Sequence, residues 1–231
     1  MTRYARQTML SEIGDEGQRR LRAARVLVVG AGGLGSPVLL YLAGAGVGRI
    51  GIVDNDVVSL TNLHRQVLYT ECDLDMPKAE CAARRLREMN RDAIVEPYVA
   101  RLTQENAREI VSRYDLVVDA CDNVATRYLL DDVTAEAGIP YVYGAICGFE
   151  GQVSVFNCGE RPRRYRDLWP DEQAMLRTDT PKGVVGVTPA VVGSVEAGEA
   201  LKIICGYGET LAGRLWTIDL RTMQAQIFEL P

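Results

Sequence analysis

Short apolar runs alternate with longer stretches of helical period through the first half of the chain. Runs of four or five apolar residues are typical of strands buried on both faces, and three-to-four spacing indicates amphipathic helices. The pattern predicts strands at residues 26–29, 50–53, 93–99 and 116–120 and helices at residues 15–22, 34–45, 78–90 and 104–113. Alternation of this kind predicts a mostly parallel sheet with helices on both faces.

In the second half, a helix at residues 125–137 is ended by Gly138, with Pro140 just beyond. The alternating run at residues 152–156 is typical of a half-buried strand, and here the sheet is expected to turn antiparallel. The remaining predicted elements are strands at 141–145, 151–157, 215–220 and 225–230 and a helix at 190–204. The predicted fold class is α/β, a doubly wound, Rossmann-like, mostly parallel sheet with antiparallel C-terminal strands.

Length and composition favour one domain over residues 1–231. The chain has 231 residues and is 47% hydrophobic, enough for one large α/β core. Residues 159–183 are polar and lack a clear period. A stretch of that length inside a compact domain predicts a functional or mobile loop.

Charge and cysteine usage exclude several classes of protein. The net charge of −5, with acids and bases interspersed, gives no basic field for nucleic acid. No secretion signal is seen, and no apolar run approaches the roughly 18 residues that span a bilayer, so we expect a cytoplasmic protein without membrane contact. The six cysteines form no C-x-x-C pair, which argues against zinc and disulfides.

A Gly-Ala-Gly-Gly-Leu-Gly turn at residues 30–35 follows the first predicted strand, and Asp54 follows the second. The first glycine permits a tight turn, the second lets backbone approach a ligand, and the third lets helix pack on strand. The acid suits ribose hydroxyls. These features predict a nucleotide site and, taken alone, suggest a dinucleotide.

The residues after Asp54 change that interpretation. Residues 61–66 read Thr-Asn-Leu-His-Arg-Gln, and Lys78 comes shortly afterwards. A hydride-transfer cofactor has no need of such cations, whereas Arg65 and Lys78 can neutralise a triphosphate. Both are open to a plainer interpretation as solvated charges, and Asp56 suits a turn as well as a site.

Together with Cys121-Asp122-Asn123, these motifs resemble the ubiquitin-activating-enzyme-like adenylyltransferase family of the MoeB, ThiF and HesA type. The resemblance runs from residues 3–7 through residues 151–153 and resumes at residues 183–194, so it covers nearly the whole chain. It implies ATP-dependent adenylylation of the C-terminal Gly-Gly carboxylate of a small ubiquitin-like sulfur-carrier protein, with release of pyrophosphate.

The resemblance also implies roles for individual residues. Gly33 would lie by the phosphates and Asp54 at the ribose, while Asp122 would hold Mg²⁺. Arg6 would reach into the site of a neighbouring subunit, which requires a homodimer. The catalytic candidates are Arg65, Lys78, Asp122 and Arg6. The nucleotide-binding candidates are Gly33, Asp54, Thr61, Asn62, Leu63, His64, Arg65, Lys78, Asp122 and Asn123.

Some of these residues have structural alternatives. Asp122 and Asn123 are both well suited to cap the following helix. Arg6 suits a surface ion pair that anchors the N-terminus. His64, the single histidine, stands where relatives commonly carry glutamine, and we interpret it as a polar spacer.

The chain departs from the family pattern at two places. Where many relatives bind zinc through C-x-x-C pairs, residues 164–167 read Arg-Tyr-Arg-Asp, so no zinc site and a more mobile loop are predicted. Where many relatives carry a cysteine in the crossover loop, this chain has Asp179, which cannot form a thioester. Cys147 and Cys158 are the nearest alternatives, although a lone cysteine is more often structural.

The sequence leaves the pathway open, because thiamine, molybdopterin and other sulfur routes share the nucleotide motif. Three other functions compete with carrier adenylylation. They are adenylation of another acyl group, such as a peptide or tRNA-base carboxylate, nucleotide binding by a non-catalytic regulatory relative, and dinucleotide-dependent oxidoreduction.

Overall fold

The computed structural model describes residues 3–178, 181 and 183–230. Within these residues the strands form one sheet of order β3-β2-β1-β4-β5-β6-β7-β8. The strands are β1 (Arg25–Val29), β2 (Arg49–Val53), β3 (Ile94–Tyr98), β4 (Leu116–Asp119), β5 (Tyr141–Cys147), β6 (Glu150–Phe156), β7 (Arg214–Asp219) and β8 (Gln224–Glu229). The helices are α1 (Ala5–Thr8), α2 (Gly14–Ala23), α3 (Gly35–Ala45), α4 (Lys78–Met89), α5 (Ala107–Val111), α6 (Val124–Ala137), α7 (Tyr165–Leu168), α8 (Glu172–Arg177) and α9 (Val187–Cys205).

The sheet is parallel from β3 to β5 and antiparallel from β5 to β8, which confirms the predicted fold class. The chain passes from β1 to β2 on one side and later returns to place β4 on the other side of β1. The strand order therefore reverses beside β1. In open α/β sheets, ligands bind at the carboxyl ends of the strands at this reversal.

Two apolar clusters cover the two faces of the sheet. One includes the buried side chains of α3, α4 and α9, and the other includes those of α5 and α6 together with Tyr165. Alternate residues of β1 enter different clusters, with Val26 and Val28 on one face and Leu27 and Val29 on the other. This is the period of two expected of a strand buried on both faces.

The polar segment at residues 159–183 contains helices that its pattern did not predict. Both α7 and α8 lie there and are too short to show a helical period. Tyr165, at the start of α7, is fully buried beside Tyr128 and Tyr143. Tertiary packing, and not an amphipathic pattern, therefore fixes α7.

Element boundaries differ modestly elsewhere. The predicted helix at residues 104–113 is helical only at Ala107–Val111, because the Asn106 side chain accepts the Thr103 N–H and forms a turn first. β3 contains Pro97, which an edge strand tolerates. In the described part of the chain, no helix has the length and apolarity required to cross a membrane.

Candidate functional site

The glycine turn between β1 and α3 brings backbone into close approach at two points. Gly30 has a φ of +102°, and a Cβ there would lie 2.3 Å from the Ala120 carbonyl oxygen. A Cβ on Gly35 would lie 2.2 Å from the Gly30 carbonyl oxygen. Neither position has room for a side chain. The turn therefore packs directly against the end of β4, where residues 120–123 begin.

Asp54 follows β2 and holds the glycine turn from the other side. One carboxylate oxygen accepts the Ala31 N–H at 2.7 Å, and the other accepts the Asp56 N–H at 2.8 Å. Burial raises the pKa of Asp54 above its ordinary value, although these backbone hydrogen bonds act in the opposite direction. A carboxylate offers about four acceptor positions, so free lone pairs remain for a ligand.

Lys78 begins α4 with its side chain almost entirely buried. Its Nζ lies 2.9 Å from an Asp56 carboxylate oxygen. The buried Tyr69 hydroxyl lies 2.8 Å from the Ala31 carbonyl and 3.3 Å from the Lys78 carbonyl. Tyr69, which was not a sequence candidate, thereby links the glycine turn to the start of α4.

Arg65 lies beside the glycine turn at the end of the segment that starts at Thr61. A Cβ on Gly33 would lie 3.6 Å from the Arg65 Cδ and 3.1 Å from the Pro189 Cβ. The Arg65 Nη1 donates to the Thr61 carbonyl at 3.1 Å and lies 3.0 Å from the His64 Nε2. No carboxylate among the described residues pairs with Arg65, so its charge is available to an anion.

The segment at residues 61–66 is folded as a compact turn. The Asn62 carbonyl accepts the N–H groups of Arg65 and Gln66, while Leu63 packs on the apolar core. Gln66 is buried near Gly32, and its amide oxygen has no partner in the described structure. Gln66 was part of the sequence motif but was not among the candidate site residues.

Asp122 and Asn123 lie between β4 and α6 and have different local roles. Asn123 caps α6, since its side-chain oxygen accepts the Thr126 N–H at 2.9 Å. Asp122 is exposed, and no hydrogen bond or ion pair engages its carboxylate within the described structure. The capping role that the sequence left open to both residues therefore belongs to Asn123, and the Asp122 carboxylate is free for a ligand.

Arg6 is remote from this cluster within one chain. It lies in α1; Tyr4, just before this helix, packs on Gly46, and Gln7 donates to the Ala45 carbonyl. These contacts are at the C-terminal end of α3, whereas the glycine turn is at its N-terminal end. The eleven residues of α3 separate the two ends by roughly 16 Å. The structure thus does not bring Arg6 to the site of its own chain.

The described arrangement combines two cations, Arg65 and Lys78, with the unpartnered Asp122 carboxylate around a tight glycine turn. Such a cluster can neutralise phosphates and hold a hard cation. The ThiF family model matches residues 4–231. The chain belongs to the ThiF family. The match spans every site residue just described.

Two curated relatives of the ThiF-family chain align over most of their own length. The sulfur carrier protein adenylyltransferase of Thermus thermophilus is 52% identical over 95% of this chain and 83% of the relative. The SAMP-activating enzyme E1 of Haloferax volcanii is 47% identical over 96% of this chain and 83% of the relative. Both identities are high enough to place the three chains in one family.

Among solved structures, E. coli MccB with ATP has a TM-score of 0.87 and 23% sequence identity, covering 99% of this chain and 71% of MccB. At this level of identity the likeness concerns the fold. It supports the doubly wound sheet and its antiparallel extension.

The cysteine candidates differ in their surroundings. Burial raises the pKa of the Cys158 thiol, which disfavours the thiolate that a nucleophile requires. Cys147 ends β5, partly exposed, with its sulfur 4.0 Å from the Pro181 carbonyl oxygen. Cys147 therefore lies beside Pro181, near the end of the polar 159–183 segment. Asp179 lies outside the described residues.

Proposed function

We propose that this protein uses ATP to adenylylate the C-terminal Gly-Gly carboxylate of a small ubiquitin-like sulfur carrier, releasing pyrophosphate. The observation that carries the proposal is the placement of Arg65, Lys78 and the unpartnered Asp122 around the glycine turn of a ThiF-family chain. The names of the two curated relatives support a carrier protein as the substrate.

The proposed nucleotide position follows from the described contacts. Gly33 lies in the turn beside Arg65 and Pro189, and we place the phosphates against its backbone on the side of Arg65. Asp54, fixed by two backbone N–H groups, accepts from the ribose hydroxyls. The turn at residues 61–64 lines one side of the triphosphate in this proposal, and Asn123 lines the other side. The turn consists of Thr61, Asn62, Leu63 and His64.

Charge governs the proposed reaction. The attacking carboxylate and the α-phosphate repel each other, and pyrophosphate must leave with its charge neutralised. Arg65 and Lys78 supply positive charge for both purposes. The carboxylate is already ionised, so no general base is required.

Asp122 suits a magnesium ion. Mg²⁺ usually retains several waters and is bound through one or two carboxylates together with substrate phosphates. The described residues contain no group of three or more histidines, cysteines or acids that could hold a metal by itself. A single free carboxylate beside a phosphate site fits Mg²⁺ bound with the nucleotide. When bound, the ion would neutralise the charge that develops on the phosphates.

The proposal includes a homodimer, in which Arg6 of one chain serves the nucleotide of the other. The remoteness of Arg6 from its own glycine turn supports a role across subunits. Its side chain is exposed, and no partner engages it within the described residues.

Exchange of labelled pyrophosphate into ATP tests the proposal. We expect Mg²⁺-dependent exchange that requires one Gly-Gly-tailed carrier from the same genome. The same carrier without its last two glycines is the matched control and should give none. Equal exchange with the truncated carrier, or exchange driven by another acyl substrate, would contradict the proposed substrate. ATP binding without exchange would favour a regulatory relative.

A further inference from the structure

A buried ion pair lies directly beneath the loop that carries Asp122. Asp119 ends β4 with no exposed surface, and Arg127 lies in the first turns of α6 with 13% of its side chain exposed. The Arg127 Nε is 3.4 Å from an Asp119 carboxylate oxygen. Burying two charges is costly unless their remaining hydrogen bonds are well placed, so those bonds indicate what the pair does.

The pair holds both backbone polar groups of Cys121. One Asp119 oxygen accepts the Cys121 N–H at 2.9 Å, and Arg127 donates to the Cys121 carbonyl at 3.1 Å. The peptide group that links Cys121 to Asp122 is therefore fixed directly by Arg127. On its other side, Asp122 adjoins Asn123, which is fixed as the cap of α6.

The two charged residues are themselves held from behind. Tyr141 donates its hydroxyl to the second Asp119 oxygen at 2.7 Å. The Arg127 guanidinium lies 5.5 Å from the Tyr143 ring centroid and near the Gly144 carbonyl. A planar guanidinium can contact a carboxylate, two carbonyls and a ring together, whereas a lysine ammonium cannot reproduce that set.

We propose that Asp119 and Arg127 are positioning residues that fix the Asp122 carboxylate for Mg²⁺ bound with the nucleotide. This inference rests on the proposed function, since the metal belongs to that reaction. Neither residue reaches the ligand; both act through the backbone of Cys121. Outer residues of this kind, when removed, typically weaken metal binding by about 10–100-fold.

Calorimetric titration with ATP, in buffer with Mg²⁺ and in buffer with a chelator, tests the inference without measuring activity. In the native protein we expect Mg²⁺ to tighten ATP binding. In the Arg127→Lys and Asp119→Asn variants, the affinity for ATP without Mg²⁺ should stay within about twofold of the native value. The factor by which Mg²⁺ tightens ATP binding should fall about tenfold.

The same helix offers a matched control. Asp131, also fully buried in α6, pairs with Arg164 at 2.9 Å on the side of α7. Asp131→Asn weakens a buried ion pair of similar kind without contacting Cys121. Mg²⁺ should therefore tighten ATP binding in this variant as much as in the native protein. Loss of tightening in this control as well would overturn the inference, because it would show general loosening of α6.

Retention of the Mg²⁺ effect in folded Arg127→Lys and Asp119→Asn would overturn the positioning role alone. A native protein that binds ATP equally with and without Mg²⁺ would instead overturn the metal role in the proposed function, and the inference with it. Should both variants fail to fold, Tyr141→Phe decides. It removes one bond to Asp119, and we expect a measurable loss of tightening, whereas a native value would count against the inference.

Discussion

The Lys78 ammonium and the Asp56 carboxylate form an ion pair at 2.9 Å in which the two side chains differ sharply in burial. Lys78 exposes 6% of its side chain and Asp56 exposes 61%. The Lys78 N–H also donates to the Asp56 carbonyl at 2.9 Å. Asp56 thus fixes the start of α4 and directs its lysine, which gives a definite task to a residue whose role the sequence left open.

Replacing Lys78 by methionine should abolish most of the adenylylation while leaving the fold intact. Methionine retains the buried stem, and the exposed Asp56 loses an ion pair worth roughly 0–1 kcal/mol. We expect pyrophosphate exchange to fall by about 10²–10³-fold, the cost of losing one group that stabilises developing charge. Thermal unfolding checks the fold. Lys202→Met, which breaks an ion pair with Glu199 on α9, is the control and should retain native exchange.

Mixing two inactive proteins tests the proposed role of Arg6 across subunits. Arg6→Ala and Arg65→Ala homodimers should each be strongly impaired. In a mixed dimer, one of the two sites receives both native arginines. Under random pairing about half of the dimers are mixed, so exchange should recover to about a quarter of native per site. The measurement is exchange after subunit mixing, with mixed dimers verified by two affinity tags. Absence of recovery in verified mixed dimers would rule out the role.

The buried Glu196 carboxyl group should give the free energy of unfolding an unusual dependence on pH. It is fully buried on α9 against Gly144, and neither of its oxygens has a hydrogen-bond partner within the described structure. Burial raises the pKa of Glu196 well above its ordinary value, Asp119 adds to this and Arg127 opposes it. The folded state therefore retains a proton that the unfolded chain releases above its ordinary pKa of 4.5.

The stability that the retained Glu196 proton contributes is fully present below the ordinary pKa of 4.5 and is lost as the pH rises toward the pKa of the folded state. Glutamine has no proton to release, so Glu196→Gln should gain in stability relative to native as the pH rises. The difference in free energy of unfolding between this variant and the native protein should grow by at most about 1.4 kcal/mol per pH unit. Urea midpoints near pH 5 and near pH 8 measure it. A gap that is the same at both would show that Glu196 does not titrate on unfolding.

The fold of α7, in the polar 159–183 segment, should depend on ion pairs and not on a metal. Arg164 contacts Asp131 at 2.9 Å and Asp132 at 2.8 Å, and the Tyr165 N–H donates to Asp131 at 2.8 Å. Asp131→Ala leaves that N–H buried without an acceptor, so we expect a loss of roughly 1–3 kcal/mol. Calorimetric unfolding measures it. A zinc chelator should leave the native transition unchanged, and a chelator-induced drop would contradict the predicted lack of zinc.

The sequence was sufficient for features whose signals are local. The glycine turn, Asp54 and the alternation of strands and helices depend on spacing within a few residues, and the structure has them as predicted. The short helix α7 has no such signal. Its position depends on Tyr165 entering the core and on Asp131, more than thirty residues earlier, so only the folded chain reveals it.

Buried polar residues were missed for the same reason. Asp119 and Arg127 read as ordinary charges near a strand end and a helix start, and most charges of that kind are solvated. Tyr69 reads as one more apolar residue. Their tasks become visible once Cys121, the glycine turn and α4 are in contact, since those partners come from separate parts of the sequence.

Two glycines, one just before α9 and one within it, pack against the candidate nucleotide site so closely that neither has space for a methyl group. A Cβ on Gly186 would lie 2.3 Å from the His64 carbonyl oxygen, and one on Gly193 would lie 2.6 Å from the Leu34 carbonyl oxygen. Strand β8 and helix α8, by contrast, present mostly exposed side chains. Protein engineers who redesign the surface can therefore vary exposed positions of α8 and β8 first and should keep both glycines, because a side chain at either would push α9 away from the segments that we propose hold ATP.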